Sequence, residues 1–154
     1  MYAKTLFHIV LIEPEIPQNT GNIGRMCAGA WAELHLVGKL GFSLEDRQLK
    51  RAGLDYWPKL KWHRHESWAQ WWDIVPDKER IFFFSTKAQQ NFFNLKLQEG
   101  DWLVFGKETK GLPAEVISTH ADQCYKISMP GDIRSFNLAN TVAMALGEGL
   151  RQTL

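Results

Sequence analysis

Cysteine is scarce in this chain of 154 residues. The two that occur, Cys27 and Cys124, lie in apolar surroundings with no histidine pair beside them. Neither a disulfide framework nor a cysteine-based zinc site is expected, and both thiols read as buried and free in a reducing compartment. Long apolar runs are also missing. The longest, Ile9 to Ile12 and Ile81 to Phe84, fall far short of the roughly 20 residues that span a bilayer. Met1 to Ile12 runs straight into a strand-like segment without a small-residue cleavage site, so no signal peptide is expected. No G-x-G-x-x-G follows the first predicted strand, and the second ends in Val37-Gly38-Lys39 with no acid. These absences argue against a dinucleotide-binding hydride-transfer enzyme.

What remains is a chain of ordinary domain size. With 45% hydrophobic residues it can bury a core, and no linker, repeat or low-complexity tract divides it. Residues 1–154 therefore read as one domain. Leu6 to Ile12 predicts a buried strand, Glu13 to Thr20 an irregular stretch broken by Pro14 and Pro17, Asn22 to Trp31 a helix capped by Thr20 or Asn19, and Leu34 to Val37 a second strand. A helix is expected from Ser43 to about Gly53, with Asp46 completing a capping-box-like pattern. Trp68, Trp71, Trp72 and Val75 share one helix face. Strands follow at Arg80–Phe84, Trp102–Phe105 and Cys124–Ile127. Pro113 opens a short helix, and Asn137 to Gln152 forms the last one. Strands alternating with helices predict an α/β fold with a parallel sheet.

The last helix carries an apolar stripe, Leu138, Val142, Leu146 and Leu150. It also carries small residues, Ala139, Ala143, Ala145, Gly147 and Gly149, that let another backbone come close. They fit packing on the chain's own sheet, or on a partner subunit.

The net charge is only +1, but it is unevenly placed. Arg47, Lys50, Arg51, Lys59, Lys61 and Arg64 stand against the single acid Asp55 between residues 47 and 65. Tyr56, Trp57 and Trp62 are interleaved with them. The asymmetry points to a patch that faces a polyanion, in which cations would track phosphates and aromatic faces could stack on unpaired bases. A solvated charged face over an aromatic cluster is the plainer alternative. His8 and His35 read as core or edge strand residues, and no metal is expected.

Three segments place loop chemistry at the carboxyl ends of predicted strands, where open parallel sheets bind ligands. The first is Asn19-Thr20-Gly21-Asn22-Ile23-Gly24-Arg25, in which Gly21 is expected to permit a tight or left-handed bend beside donors from Asn19, Asn22 and Arg25. The second is Phe105-Gly106-Lys107-Glu108-Thr109-Lys110-Gly111-Leu112-Pro113. The third runs from Ile127-Ser128-Met129 to Arg134-Ser135-Phe136-Asn137-Leu138-Ala139-Asn140, with Ser135 and Asn137 opening the last helix. Singly, each is compatible with ordinary turns and caps.

Together, in this order, they resemble the SPOUT RNA methyltransferases, whose motifs read N-x-G-N-I-x-R, F-G-x-E-x-x-G-L-P and S-x-N-L-x-N. The likeness is strongest to the small single-domain tRNA (cytidine/uridine(34)-2′-O)-methyltransferases, through Glu13–Ile23 and through Arg51-Ala52-Gly53-Leu54-Asp55-Tyr56. It covers nearly the whole chain. The resemblance implies a parallel sheet with a deep C-terminal trefoil knot, which periodicity does not suggest. It implies S-adenosylmethionine held by Phe84, Gly106, Ile127 and Ser135. It implies a cytoplasmic homodimer paired through the C-terminal helix and knot, acting on tRNA without a membrane or a metal. Arg25, Asn19 and Glu108 are then the catalytic candidates, and Arg47, Lys50, Arg51 and Tyr56 the RNA-binding ones. Arg25 would contact the ribose hydroxyl or the adjacent phosphate. Glu108 would favour the sulfonium charge, pair with Arg25, or simply cap a loop. Asn140 would brace the knot. Ser128, Gly147 and Trp57 depart from the pattern, in which proline, an aromatic and histidine are usual. Ribose methylation of another tRNA or ribosomal site, or a non-catalytic RNA- or cofactor-binding module, are the alternatives.

Overall fold

The computed structural model describes residues 2–53 and 56–154. Leu54 and Asp55, part of the Arg51–Tyr56 segment singled out above, lie outside the described residues. In chain order the regular elements are β1 (Phe7–Ile12), α1 (Pro17–Gly29), β2 (Ala32–Val37), α2 (Arg47–Gly53), β3 (Trp62–His65) and α3 (Trp68–Ile74). They continue with β4 (Ile81–Phe84), β5 (Gln90–Asn91), β6 (Asp101–Phe105), α4 (Ala114–Thr119), β7 (Cys124–Lys126) and α5 (Leu138–Thr153). All seven strands join one parallel sheet in the order β3-β2-β1-β6-β4-β7-β5.

Period-two alternation divides the central strands between two cores. Phe7, Ile9 and Leu11 of β1 meet Ile23 and Cys27 of α1 and Val142, Ala145 and Leu146 of α5 on one face. Val10 and Ile12 meet Trp71 of α3 and Val116 of α4 on the other. Helices thus cover both faces. The chain lays down β1, β2 and β3 toward one edge, crosses to β4 and β5, and then returns. It places β6 between β1 and β4, and β7 between β4 and β5. The loops after β6 and β7 consequently open near the middle of the sheet, beside the end of β4. Asp101, buried at the start of β6, is held by Arg80 through paired hydrogen bonds of 2.8 and 2.6 Å.

Several expectations are corrected. Helix α1 begins at Pro17, not Asn22. Proline at the first helical position loses no intrahelical bond, so it starts the helix instead of preventing it. Asn19 and Thr20 are consequently buried inside the helix and do not cap it. Gly21 is helical too, and the left-handed glycines are Gly38, Gly100 and Gly111. Helix α2 starts at Arg47 because Asp46 accepts from the Gln48 amide at 2.7 Å, while the Ser43 hydroxyl and carbonyl accept from Glu45 N and Asp46 N in the preceding turn. Strands β3 and β5 were not expected. The first is a polar edge strand, Trp-His-Arg-His, and the second has two residues.

Two further helix starts carry local side-chain caps. Ser67 caps α3 by accepting from Gln70 N at 3.2 Å, and Asn137 caps α5 by accepting from Asn140 N at 3.2 Å. Both cysteines are free and buried. No helix among the described residues is long and apolar enough to cross a membrane.

Candidate active site

The carboxyl ends of β4, β6 and β7 open into a cleft of about 870 Å³. Phe84, Gly106, Ile127 and Ser135, the four residues expected to hold a cofactor, all line it, as does Glu108. Phe84 stacks on Phe105 at 4.5 Å and makes part of an apolar wall with Leu112 and Met129. Ser85, Thr109 and Ser135 supply polar groups. Gly106 has no room for a side chain: a β-carbon there would lie 2.0 Å from the Gly111 carbonyl carbon. The loop folds back on itself at that point, with Gly111 N donating to Lys107 O at 2.8 Å and Gly111 itself at φ 65°.

This loop is fastened to the start of α1. The Glu108 carboxylate accepts from Glu15 N and Ile16 N, each at 2.8 Å, and from Asn19 Nδ2 at 3.2 Å. A carboxylate at a helix N-terminus satisfies donors that have no partner within the helix and complements the positive end of its dipole. Ile16, the residue flanking the helix, offers no side-chain cap, so the cap comes from more than 90 residues away. Glu15 answers by accepting from Thr109 N at 3.0 Å and Thr109 Oγ1 at 2.7 Å, which holds its carboxyl below the usual range. Lys107 adds an ion pair to Glu13 at 3.4 Å.

Asn19 is the central link. Its Oδ1 accepts from Asn137 Nδ2 at 3.1 Å while its amide donates to Glu108. Buried in α1, it ties together the loop after β6 and the cap of α5. The structure therefore brings two catalytic candidates, Asn19 and Glu108, into one hydrogen-bonded chain beside the cleft. Glu15, Thr109 and the Asn19–Asn137 contact were missed by sequence reasoning. Their partners are 94 and 118 residues apart, and nothing local signals such pairs.

Arg25 stands elsewhere. It is exposed, does not line the cleft, and makes no ion pair with Glu108 among the described residues. Its guanidinium lies over the Tyr56 ring, 4.4 Å from the centroid. Helix α2 crosses α1 against Gly21, where a β-carbon would lie 2.4 Å from Ala52 Cβ, and Trp57 and Leu60 pack at Gly24. The crossing places Arg47, Lys50 and Arg51, all exposed, on the layer that also carries Arg25 and Tyr56. Lys50 is paired to Glu45 at 2.8 Å. A second cleft of about 530 Å³, between Gly38, Trp68 and His120, contains none of the expected site residues.

Residues 6–147 match the model of the SpoU rRNA Methylase family. The chain belongs to that family. This SpoU-family chain is 44% identical over 149 residues to a tRNA (cytidine(34)-2′-O)-methyltransferase of Burkholderia cenocepacia (strain HI2424), covering 96% of each. It is 45% identical over 149 residues to a putative enzyme of the same description from Bacillus subtilis (strain 168), covering 94% of this chain and 92% of that one. It also matches a solved structure described as giving insights into the 2-OH methylation of C/U34 on tRNA, with a TM-score of 0.91 and 43% identity, covering 97% of this SpoU-family chain and 92% of the other. Similarity thus extends over nearly the whole of each protein.

Proposed function

We propose that this chain methylates the ribose 2′-hydroxyl of the wobble nucleotide, cytidine or uridine at position 34, in the tRNA anticodon loop, with S-adenosylmethionine as methyl donor. One observation carries the reading. Loops that follow three separate strands enclose a single cleft, in a chain 44% identical to a tRNA (cytidine(34)-2′-O)-methyltransferase.

The cleft fits the donor in kind. Its volume of about 870 Å³ suits a small-molecule site. Its Phe84, Phe105, Leu112 and Met129 side chains match a flat, weakly polar base, and Thr109 and Ser135 match the polar ribose and amino-acid ends. Phe84, Gly106, Ile127 and Ser135 are the residues that would hold it. When bound, the donor supplies an electrophilic methyl group on a sulfonium sulfur for in-line attack by the ribose oxygen. The protein's part is to align the two reactants and exclude water, which is worth several kcal/mol of the barrier.

Arg25 orients the ribose or its phosphate. A guanidinium offers five donors and no acceptor, so it positions and polarises; it does not remove a proton. Tyr56 keeps it in place. Glu108 and Asn19 act by fixing the cofactor loop to α1, and Glu108 adds negative charge on the cleft wall. Arg47, Lys50 and Arg51 guide the RNA backbone.

The assembly in this reading is a cytoplasmic homodimer. Ala139, Ala145 and Gly149 of α5 are buried within the chain, and Gly149 meets the Phe7 ring, whereas Ala143 and Gly147 lie exposed. A second copy of α5 fits against that small-residue surface. The dimer also accounts for Arg25 lying outside the lining of its own cleft. The return of the chain into the middle of the sheet, after both edges are laid, supports a trefoil knot at the C-terminal end of a single domain.

The test is mass spectrometry of tRNA nucleosides from cells with and without the gene. Loss of the 2′-O-methyl group at position 34 is expected, and an unchanged profile overturns the function. In vitro, Arg25→Ala is expected to abolish transfer of a radiolabelled methyl group while calorimetric donor binding persists.

A further inference from the structure

Four of the chain's five histidines stand together at the β1–β2–β3 end of the sheet, away from the cleft. Parallel pairing sets Glu33 opposite His8 and His35 opposite His63. Alternation aims these side chains at the face that α3 covers, with Val10 and Val37. His8 Nδ1 lies 3.0 Å from His35 Nε2, and His63 Nε2 lies 2.7 Å from Glu33 Oε1. One ligating atom from each of His8, Glu33 and His35 falls within 4.8 Å of the others.

We propose that His8, Glu33 and His35, with His63 as a fourth donor, bind a divalent transition metal of the zinc class. Three imidazoles and one carboxylate form a nitrogen-rich set that suits zinc and disfavours magnesium or calcium, which take oxygen ligands. Two nitrogens on a tetrahedral zinc with bonds of about 2.0–2.1 Å stand about 3.3 Å apart. His8 and His35 need to separate by only a few tenths of an ångström from their 3.0 Å contact.

The surroundings orient the ligands as a metal site requires. His35 Nδ1 faces His65 Nε2 at 3.0 Å, so a proton on Nδ1 leaves Nε2 bare for the metal. Binding then needs His8 to carry its proton on Nε2, freeing Nδ1, and His63 to give up its hydrogen bond to Glu33 and carry its proton on Nδ1, freeing Nε2; both are tautomer shifts, so no net proton is lost. Thr5 Oγ1 donates to Glu33 Oε2. Trp102 stacks on His8 with centroids 3.8 Å apart. His35 is 2% exposed, so its lone pair is kept from water. The ion would join three strands and clamp β3, the edge strand at the end of the basic stretch. Its role is structural, independent of methyl transfer.

The test uses the full chain, stripped with a chelator and titrated with zinc chloride in a calorimeter. One equivalent is expected to bind at micromolar or lower dissociation constant, and zinc but not magnesium raises Tm. Cobalt in its place is expected to give the strong visible absorption of a tetrahedral complex. Glu33→Gln and His63→Ala, both at the accessible side of the cluster, weaken binding at least tenfold, and His120→Ala does not. No saturable binding to the wild type, or binding equally tight in Glu33→Gln and His63→Ala, overturns the proposal. If a variant fails to fold, the wild-type titration and the cobalt spectrum decide alone.

Discussion

A β-carbon on Gly21 would sit 2.4 Å from the β-carbon of Ala52. Real β-carbons do not approach so closely, so the α1–α2 crossing depends on a bare backbone at this point. The crossing also sets where the basic face of α2 lies relative to Arg25. Gly21→Ala forces the helices apart, and overpacking of this kind costs about 1–3 kcal/mol, partly offset by about 1 kcal/mol of gained helix propensity. The expected result is weaker tRNA binding with donor affinity unchanged. The double variant Gly21→Ala/Ala52→Gly moves the methyl to the other helix and restores tRNA binding. Binding curves for the two variants check this directly, and equal affinities would show that the Gly21–Ala52 crossing does not set the patch.

Glu108 supports a second prediction. Both of its oxygens accept from backbone amides, and one also accepts from Asn19. Glu108→Gln keeps the size but turns one amide nitrogen toward an N–H donor. An unsatisfied pair of this kind costs about 1–3 kcal/mol, and the charge that complements the α1 dipole is lost as well. A lower Tm and weaker donor binding are expected together, because the same loop lines the cleft. A change in turnover with neither of these would indicate that Glu108 acts on the reacting groups directly.

The two halves of this architecture were unequally legible in the sequence. Strands β1, β4 and β6 were legible as short, largely apolar runs, and β2 and β7 as strand-length segments of β-forming residues in the alternating helix–strand order. Phe84, Gly106, Ile127 and Ser135 were implied by the family resemblance that the ordered motifs carry, and all four line one cleft. The start of α1 was not legible. Pro14 and Pro17 read as breakers, and the cap that makes Pro17 a helix start comes from Glu108, far along the chain. Gly21 misled for a related reason: glycine signals a bend only when nothing else needs the space, and here Ala52 needs it. Strand β3 was hidden because its positions on the face that α3 covers are histidines. They become legible only when β1 and β2 bring His8, Glu33 and His35 beside them.

Tyr2 gives a pH prediction. Its hydroxyl donates to Ala32 O at 2.7 Å and to Cys27 O at 3.2 Å, and burial pushes the phenol from 10.0 up to about 12. The folded chain therefore keeps a proton that the unfolded chain releases above pH 10. This contribution is complete below pH 10 and is lost as pH rises toward about 12, at a slope of about 1.4 kcal/mol per pH unit inside that window. Tyr2→Phe is expected to be less stable at neutral pH by about 1 kcal/mol for the missing hydrogen bond, and to show a flatter alkaline decline. Urea midpoints for both proteins across the window check the sign, and parallel declines would remove Tyr2 as the cause.

The basic face of α2 offers a graded prediction. Arg47, Lys50 and Arg51 are all exposed, but Lys50 already has Glu45 at 2.8 Å. A lysine with a nearby carboxylate has less charge to offer a phosphate, although an exposed pair holds it only weakly. Reversal at Arg47 or Arg51 is therefore expected to weaken tRNA binding more than reversal at Lys50. Removing one cation from a phosphate should make the dependence of log affinity on log salt shallower by about 0.7–0.9. The measurement is tRNA affinity for each single variant over a range of salt concentrations. Equal losses with an unchanged slope would mean that the patch repels or unfolds when altered, and that it does not grip the RNA backbone in the wild type.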